Sequence, residues 1–598
     1  MQRATCNLIC KRMIHSKNNR FHTFLPLLIF FAGAFIFFGF FAGYVEFYQE
    51  KTSLFVFSRD YLADGITQPG SLLVFLGRLL TTFYYYPVAG ALIISITICL
   101  TVCMISKIIS FQSGEKSILV PIILGTLIFV LHSNYQYLLY NSLGIMLQLV
   151  FFYLAIRYLN NFTPVLIFPL WYFITGGFAW IFGLMYTIYL ALKSIRKEWP
   201  KITLLFALNF LVIFLMKEFF LFHPLKTLVI FPFLIEDTGS QVVLFIAVIG
   251  LIILLPVIGK IKIRFPIPVR QKDSHKVIIL SLLAFMLVSA SAVLRFDNAY
   301  KEYFYAEKLF YQGRFDELTK YLTKHPTTNR LTVFLNNIAL CETGRLNDQL
   351  FHFPQSPDGQ SLFLKWEMYG EVLRRGGYFY YSTGMINEAQ RWAYENMIMK
   401  GLTPEGLKML IKTEIINGNY MIASKYISIL KKTLFYKHEA KEYEKYLFND
   451  VAIESHPEFG IKRKEKIEHD FFSITDNPYV NIERVISYDS SNRKAFEYKL
   501  AYQMLSEDYK GIASGLARLE SLGFVKIPVH LEEAAMVCRI SDSGPLPDLG
   551  NLKIEPQVEV RFSQFLQTFQ NYGNNLKTAQ PFLKQKFGNT FWYYAFYH

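Results

Sequence analysis

The chain has 598 residues, 53% hydrophobic and 18% charged, against about 25% charged in a soluble globular protein. An ordinary soluble enzyme is excluded, and the 57 Phe and 38 Tyr suit rings that line a bilayer and its interfaces. The net charge of +15 divides unevenly: residues 1–294 hold 23 Lys/Arg against 10 Asp/Glu, and residues 295–598 hold 38 against 36. A nucleic-acid binder gathers its excess on one folded basic face, whereas here it lies between apolar runs, so no nucleic-acid partner is expected and the charge reads as a topology signal.

A span needs about 20 apolar residues. The first run, 23–45, follows a basic segment, 1–22, whose Lys11, Arg12, Lys17 and Arg20 place it in the cytoplasm. Residues 45–70 then form an outer loop carrying Glu46, Glu50, Asp60 and Asp64. Residues 71–83 contain Arg78, which would cost about 2.5–3.5 kcal/mol at the bilayer centre, so an interfacial helix is predicted there. Spans follow at 86–106, 117–131 and 138–156.

Residues 163–192 are uncharged but interrupted at Gly176-Gly177. Turning back at the glycines keeps Lys193, Arg196, Lys197 and Lys201 inside, which favours a hairpin of two short spans over one tilted helix. Runs at 202–216, 241–258 and 277–293 complete about nine spans in a membrane domain at 23–294. The resulting map has 18 Lys/Arg inside and 5 outside. In a Gram-negative inner membrane, residues beyond 295 would then be periplasmic.

After residue 295 the apolar spacing becomes that of short helices, and the whole chain is expected to be all-α. A punctuated motif recurs at Gly313 (GRFDEL), Gly344 (GRLNDQL), Gly384 (GMINEA) and Gly418 (GNYMIA), at spacings of 31, 40 and 34 residues. These bracket the tetratricopeptide period, so residues 295–540 resemble a diverged tetratricopeptide-like repeat domain of the kind that binds proteins on a concave face. Residues around Asp508-Tyr509-Lys510 have the same look. The aromatic C-terminal segment, 541–598, is expected to pack on the repeats or on the membrane surface. The six cysteines form no CxxC pair, and Cys341 and Cys538 are expected to be buried thiols.

Three outward clusters are candidates for chemistry. Asp60 and Glu46 have the character of a general base or a divalent-metal ligand, with solvated loop charges as the plain alternative. Arg78 suits a lipid phosphate, or else snorkels to the surface. Lys217, His223 and Lys226, near Glu218 and Glu236-Asp237, either meet a phosphate or form an amphipathic connector; His132 is a weaker candidate still. The absence of GxxxxGK[ST], GxSxG and HExxH motifs argues against an ATP-driven pump, an α/β-hydrolase and a zinc protease.

The outer acidic loop and the segment 69–90, PGSLLVFLGRLLTTFYYYPVAG, resemble an uncharacterised family of Bacteroidota polytopic membrane proteins with a repeat-like C-terminal half. More distantly, the layout is similar to C-type glycosyltransferases, which use polyprenyl-phosphate sugars. That resemblance implies a catalytic acid at Asp60 or Glu46, and an envelope-biogenesis enzyme at the outer face. The rival expectation is a non-catalytic scaffold that recruits a periplasmic protein. A transporter is disfavoured, because the spans show no internal repeat.

Overall fold

The computed structural model describes residues 25–66, 68–114, 119–221, 223–233, 239–260, 274–367, 371–467, 473–474, 476–540 and 546–598. The N-terminal basic segment, Glu236-Asp237 and most of the basic loop after Lys260 lie outside these residues. Within them the protein is all-α, with no strand. It forms two compact units: Met1–Lys301 with Lys432–Phe435, and Glu302–Lys431 with Tyr436–His598.

The first unit begins with α1 (Leu25–Phe41), whose last turn, Phe37–Phe41, widens into a π-helix. The chain breaks at Ala42 and bends 70° into α2 (Gly43–Thr52). The outer loop expected at 45–70 thus starts as a continuing helix. After α3 (Arg59–Ile66) come α4 (Ser71–Thr82), α5 (Pro87–Ser113), α6 (Leu119–His132) and α7 (Leu139–Tyr158).

The glycine pair is a hairpin turn. Helices α8 (Thr163–Thr175) and α9 (Ala179–Met216) fold back on each other around Gly176 (φ 60°) and Gly177. Tyr186 Oη donates to the Asn161 carbonyl at 3.0 Å, and Asn161 Nδ2 donates to Glu198 Oε1 at 3.1 Å. One unbroken helix, rising 1.5 Å per residue, would hold residues 161 and 198 about 55 Å apart. Extended backbone at Ser194 then kinks α9, next to Lys193 and Arg196. The unit continues through α10 (Leu225–Ile230), α11 (Ser240–Ile253), α12 (Leu255–Lys260) and α13 (Ser274–Arg295).

Among the described residues four stretches are long and apolar enough to cross a membrane: Pro87–Ser113, Leu139–Tyr158, Thr163–Leu221 and Ile278–Arg295. The bent α1–α2 pair makes a fifth if it is one span. Ser71–Tyr85, Leu119–His132 and Gln241–Ile253 are apolar but shorter. The 14 residues of α6 reach about 21 Å, less than a hydrocarbon core of about 30 Å. Four or five candidate spans therefore stand where the sequence suggested about nine.

In the second unit all four motif glycines join consecutive helices with φ between 65° and 85°. Arg314, Arg345, Met385 and Asn419 each donate a backbone N–H to the carbonyl five residues back, at 2.8–3.0 Å. That is the bond of a Schellman turn, which satisfies helix-terminal carbonyls and needs a left-handed residue. The same turn recurs at Glu507 (φ 54°), where Asp508 donates to Gln503 at 2.9 Å. Cys341 and Cys538 are both buried, and Cys538 Sγ donates to the Tyr509 carbonyl at 3.5 Å.

Charge is also buried in this unit. Arg375 lies wholly inside, 2.5 Å from Glu307 and 2.6 Å from Glu371, over the Tyr303 ring. Burial pushes the Glu342 carboxyl up, but Lys462 and Lys494 outweigh it and hold the group low. At the C-terminus, helix Phe591–Tyr597 is anchored through Glu533: Phe591 N donates to its carboxylate and Trp592 Nε1 to its carbonyl, both at 2.8 Å.

Candidate functional site

Asp60 and Arg78 come out on neighbouring helices of the first unit. Asp60 is exposed in the first turn of α3, and Arg78 is exposed on α4. Tyr61 ties the two helices together: its ring packs against Phe75 of α4 at 4.8 Å and Phe55 at 5.4 Å. Its hydroxyl donates to the Leu54 carbonyl at 3.2 Å and accepts from Arg78 Nη1 at 3.4 Å. Arg78 forms no ion pair among the described residues, so its guanidinium remains available to an anion.

Glu46 belongs to a different environment. It is fully buried on α2, and neither carboxylate oxygen has a hydrogen-bond partner among the described residues. A Cβ on Gly90 would lie 2.6 Å from Glu46 Cγ and 3.2 Å from Tyr84 Cδ1, so the carboxyl stem occupies space that only glycine leaves open. The Tyr84 hydroxyl is buried and also has no hydrogen-bond partner among the described residues. One turn along α2, Gln49 Nε2 donates to the Tyr137 carbonyl at 2.9 Å. The Tyr137 ring meets the buried His132 edge-on at 5.0 Å, and neither His132 nitrogen has a partner among the described residues.

The third cluster is spread out. Lys217 pairs with Glu218 in the π-turn that closes α9, and His223 and Lys226 are exposed. Between them and Pro232 the chain is held by its own carbonyls: Leu228 O accepts from Tyr172 Oη at 2.7 Å, and Val229 O from Trp180 Nε1 at 3.2 Å. Phe231 O accepts from Gly177 N at 2.7 Å, and Gly70 N donates to Phe173 O at 2.9 Å. A Cβ at Gly176 would meet Phe231 O at 2.4 Å and Gly70 Cα at 2.9 Å. The start of α4, the hairpin turn and the end of α10 thus share one close-packed joint, which links the element bearing Arg78 to the one bearing Lys226.

Sequence reasoning placed Glu46 with Asp60 in one loop and did not single out Tyr61, Tyr84 or Gly90. Gly90 sits in the quoted 69–90 segment, but only contact with α2 gives it a role. Among the described residues no three of His, Cys, Asp and Glu gather as a metal centre.

The long apolar helices are those of a multi-pass α-helical membrane protein. Residues 17–598 match a family of unknown function, DUF6057, and the chain belongs to it. No curated protein and no solved structure matches the chain.

Proposed function

We propose that the protein is an inner-membrane component of cell-envelope biogenesis that transfers a sugar from a polyprenyl-phosphate carrier at the outer face. The reading is supported by exposed Asp60 and exposed Arg78 on neighbouring helices α3 and α4, where Tyr61, next to Asp60, accepts from Arg78 Nη1 and Arg78 forms no ion pair among the described residues. Arg78 would grip the lipid phosphate, with Lys226 and His223 as further cationic or proton-bearing contacts and Lys217 held back by Glu218. Asp60 would take the proton of an acceptor hydroxyl as its oxygen attacks the sugar's anomeric carbon. The carbon–oxygen bond to the phosphate breaks, and the lipid phosphate leaves with the electron pair. Of the two acids proposed for this role, Asp60 has the access it requires; Glu46 would need to become exposed. Asp60 would be the residue to hold a divalent metal, which would supply neutralisation of the charge on the leaving phosphate.

Native mass spectrometry of the gently purified full-length protein tests the reading. A stoichiometric polyprenyl phosphate is expected, with retention falling roughly tenfold or more in Arg78→Ala, as for loss of a charge-assisted phosphate contact. Bulk phospholipid alone, with envelope glycans unchanged in Asp60→Asn, would overturn it.

The scaffold reading is favoured by a separate observation, the recurrence of helix, Schellman turn and helix at Gly313, Gly344, Gly384, Gly418 and Glu507. Read as a diverged tetratricopeptide-type array, it would hold a periplasmic protein. Crosslinking through residues 300–540 that recovers no protein would count against it.

A further inference from the structure

Glu46 is an isolated ionisable group among the described residues of the first unit. It is wholly buried, both its oxygens lack partners among the described residues, and no Lys or Arg pairs with it there. The groups around it are Tyr84, from the turn after α4, and Tyr44 and Glu50 on its own helix, with Glu50 beside Lys51 at 3.5 Å. From α5, Gly90 faces it. Keeping a bare carboxylate in such a place costs several kcal/mol, and no cation is at hand to offset it. The neutral carboxylic acid, by contrast, has a proton to give and a carbonyl oxygen to offer.

A second observation points the same way. Glu46 lies one turn beyond the π-turn and the 70° break between α1 and α2. A helix that breaks at membrane depth does so where its freed backbone is enclosed by protein or lines a polar cavity, and ion sites form at such breaks. The polar groups continue from there. Gln49 holds the Tyr137 carbonyl, Tyr137 Oη shares a hydrogen bond with Ser142 Oγ at 3.2 Å, and the Tyr137 ring meets His132. Tyr84, Glu46, Gln49, Tyr137 and His132 are all buried, in a unit that also buries Asn141, Ser142 and Gln148.

We infer that Glu46 is a proton-binding site built into the membrane unit, a carboxyl that rests in its neutral form and exchanges one proton through the adjoining polar groups. The site is independent of Asp60 and Arg78, because it needs neither exposure nor a phosphate.

A carbodiimide adds only to a protonated carboxyl, and an apolar one reaches groups that a water-soluble one does not. The full-length protein in lipid nanodiscs is treated with dicyclohexylcarbodiimide or with a water-soluble carbodiimide, and the adducts are mapped by mass spectrometry. Glu46 is expected to react on the order of tenfold faster with the apolar reagent, as for a group in an apolar site, and to slow as pH rises. Glu46→Gln abolishes the adduct. Gly90→Ala, which drives a methyl into the carboxyl stem, reduces it several-fold while the protein still elutes as a single species. Equal reaction with both reagents, or no adduct at any pH, overturns the inference. Protection by sodium at constant pH also overturns it, in favour of a cation site.

Discussion

At the scale of single residues, the same side chain behaves according to what surrounds it. Asp60 and Glu46 lie 14 positions apart in the sequence, yet one is solvated and the other sealed. Glu497 gives a third case. Burial, opposed by the hydrogen bond and charge of Arg493, pushes its carboxyl up to about 7. Arg493 Nε donates to Oε1 at 3.0 Å, while Oε2 is buried without a partner among the described residues. The folded protein therefore holds this proton more tightly than the unfolded chain, whose Glu titrates near about 4.3. The stability that follows is fully present below about pH 4.3 and is lost as pH rises through about 7. Glu497→Gln keeps an acceptor for Arg493 without the charge. Hydrogen exchange across Arg493–Leu505 in the intact protein should slow at pH 8 relative to wild type, by the equivalent of about 1–3 kcal/mol, and converge with wild type at about pH 4. Unchanged exchange at both pH values would mean that water reaches Oε2.

Turns decide the elements, and most of them are legible in the sequence because their demands are local. A left-handed residue with a free Cα side is what a Schellman turn requires, and Gly313, Gly344, Gly384 and Gly418 supply it. Glu507 fills the same role without being glycine, which explains why the repeat around Asp508 carries a weaker signature. The glycines differ in their surroundings, and two substitutions separate conformation from contact. Gly313 has open space around its would-be Cβ, so Gly313→Ala meets only the backbone penalty, about 1 kcal/mol. A Cβ on Gly384 would lie 2.6 Å from the Glu465 carbonyl, so Gly384→Ala adds overpacking and should cost roughly 2–4 kcal/mol in total. Local hydrogen exchange in the flanking helices of the full-length protein reads both, and equal losses would contradict the contact term.

The hairpin at Gly176-Gly177 was legible for a different reason, since charge on Lys193–Lys201 had to return to the side it came from. Its close contact with Phe231 and Gly70 was not legible, because it depends on segments far away in the chain. The same holds for the candidate site. Asp60 and Arg78 drew notice as charges beside apolar runs, but the tie through Tyr61 rests on rings from three segments meeting.

At the scale of the whole molecule, the C-terminal aromatic helix acts as a fastening of the second unit. Trp592 is fully buried against Phe562 at 5.0 Å, and Tyr594 Oη donates to the Leu505 carbonyl at 2.8 Å. Trp592→Ala should destabilise this unit by about 3–5 kcal/mol, seen as earlier proteolytic cleavage within residues 302–598 of the intact protein. Cleavage indistinguishable from wild type would show that the helix merely rests on its neighbours. The Lys/Arg asymmetry makes a separate prediction about orientation. A reporter enzyme that is active only outside the cytoplasm should be active when fused after His598 and inactive when fused within residues 261–273. The reverse pattern would invert the topology.

The sequence by itself determined the helical class, the bias of positive charge and the places where the chain must turn, since hydrophobic period, charge and backbone freedom are properties of short segments. Only the tertiary structure decided which apolar helices are long enough to span a membrane unaided, that α2 carries Glu46 inward while α3 leaves Asp60 in solvent, and that Gly90 makes room for the carboxyl. Burial and partnership depend on what the rest of the chain brings to a residue. Past the 70° bend at Ala42, a position the sequence suggested for an exposed loop is buried.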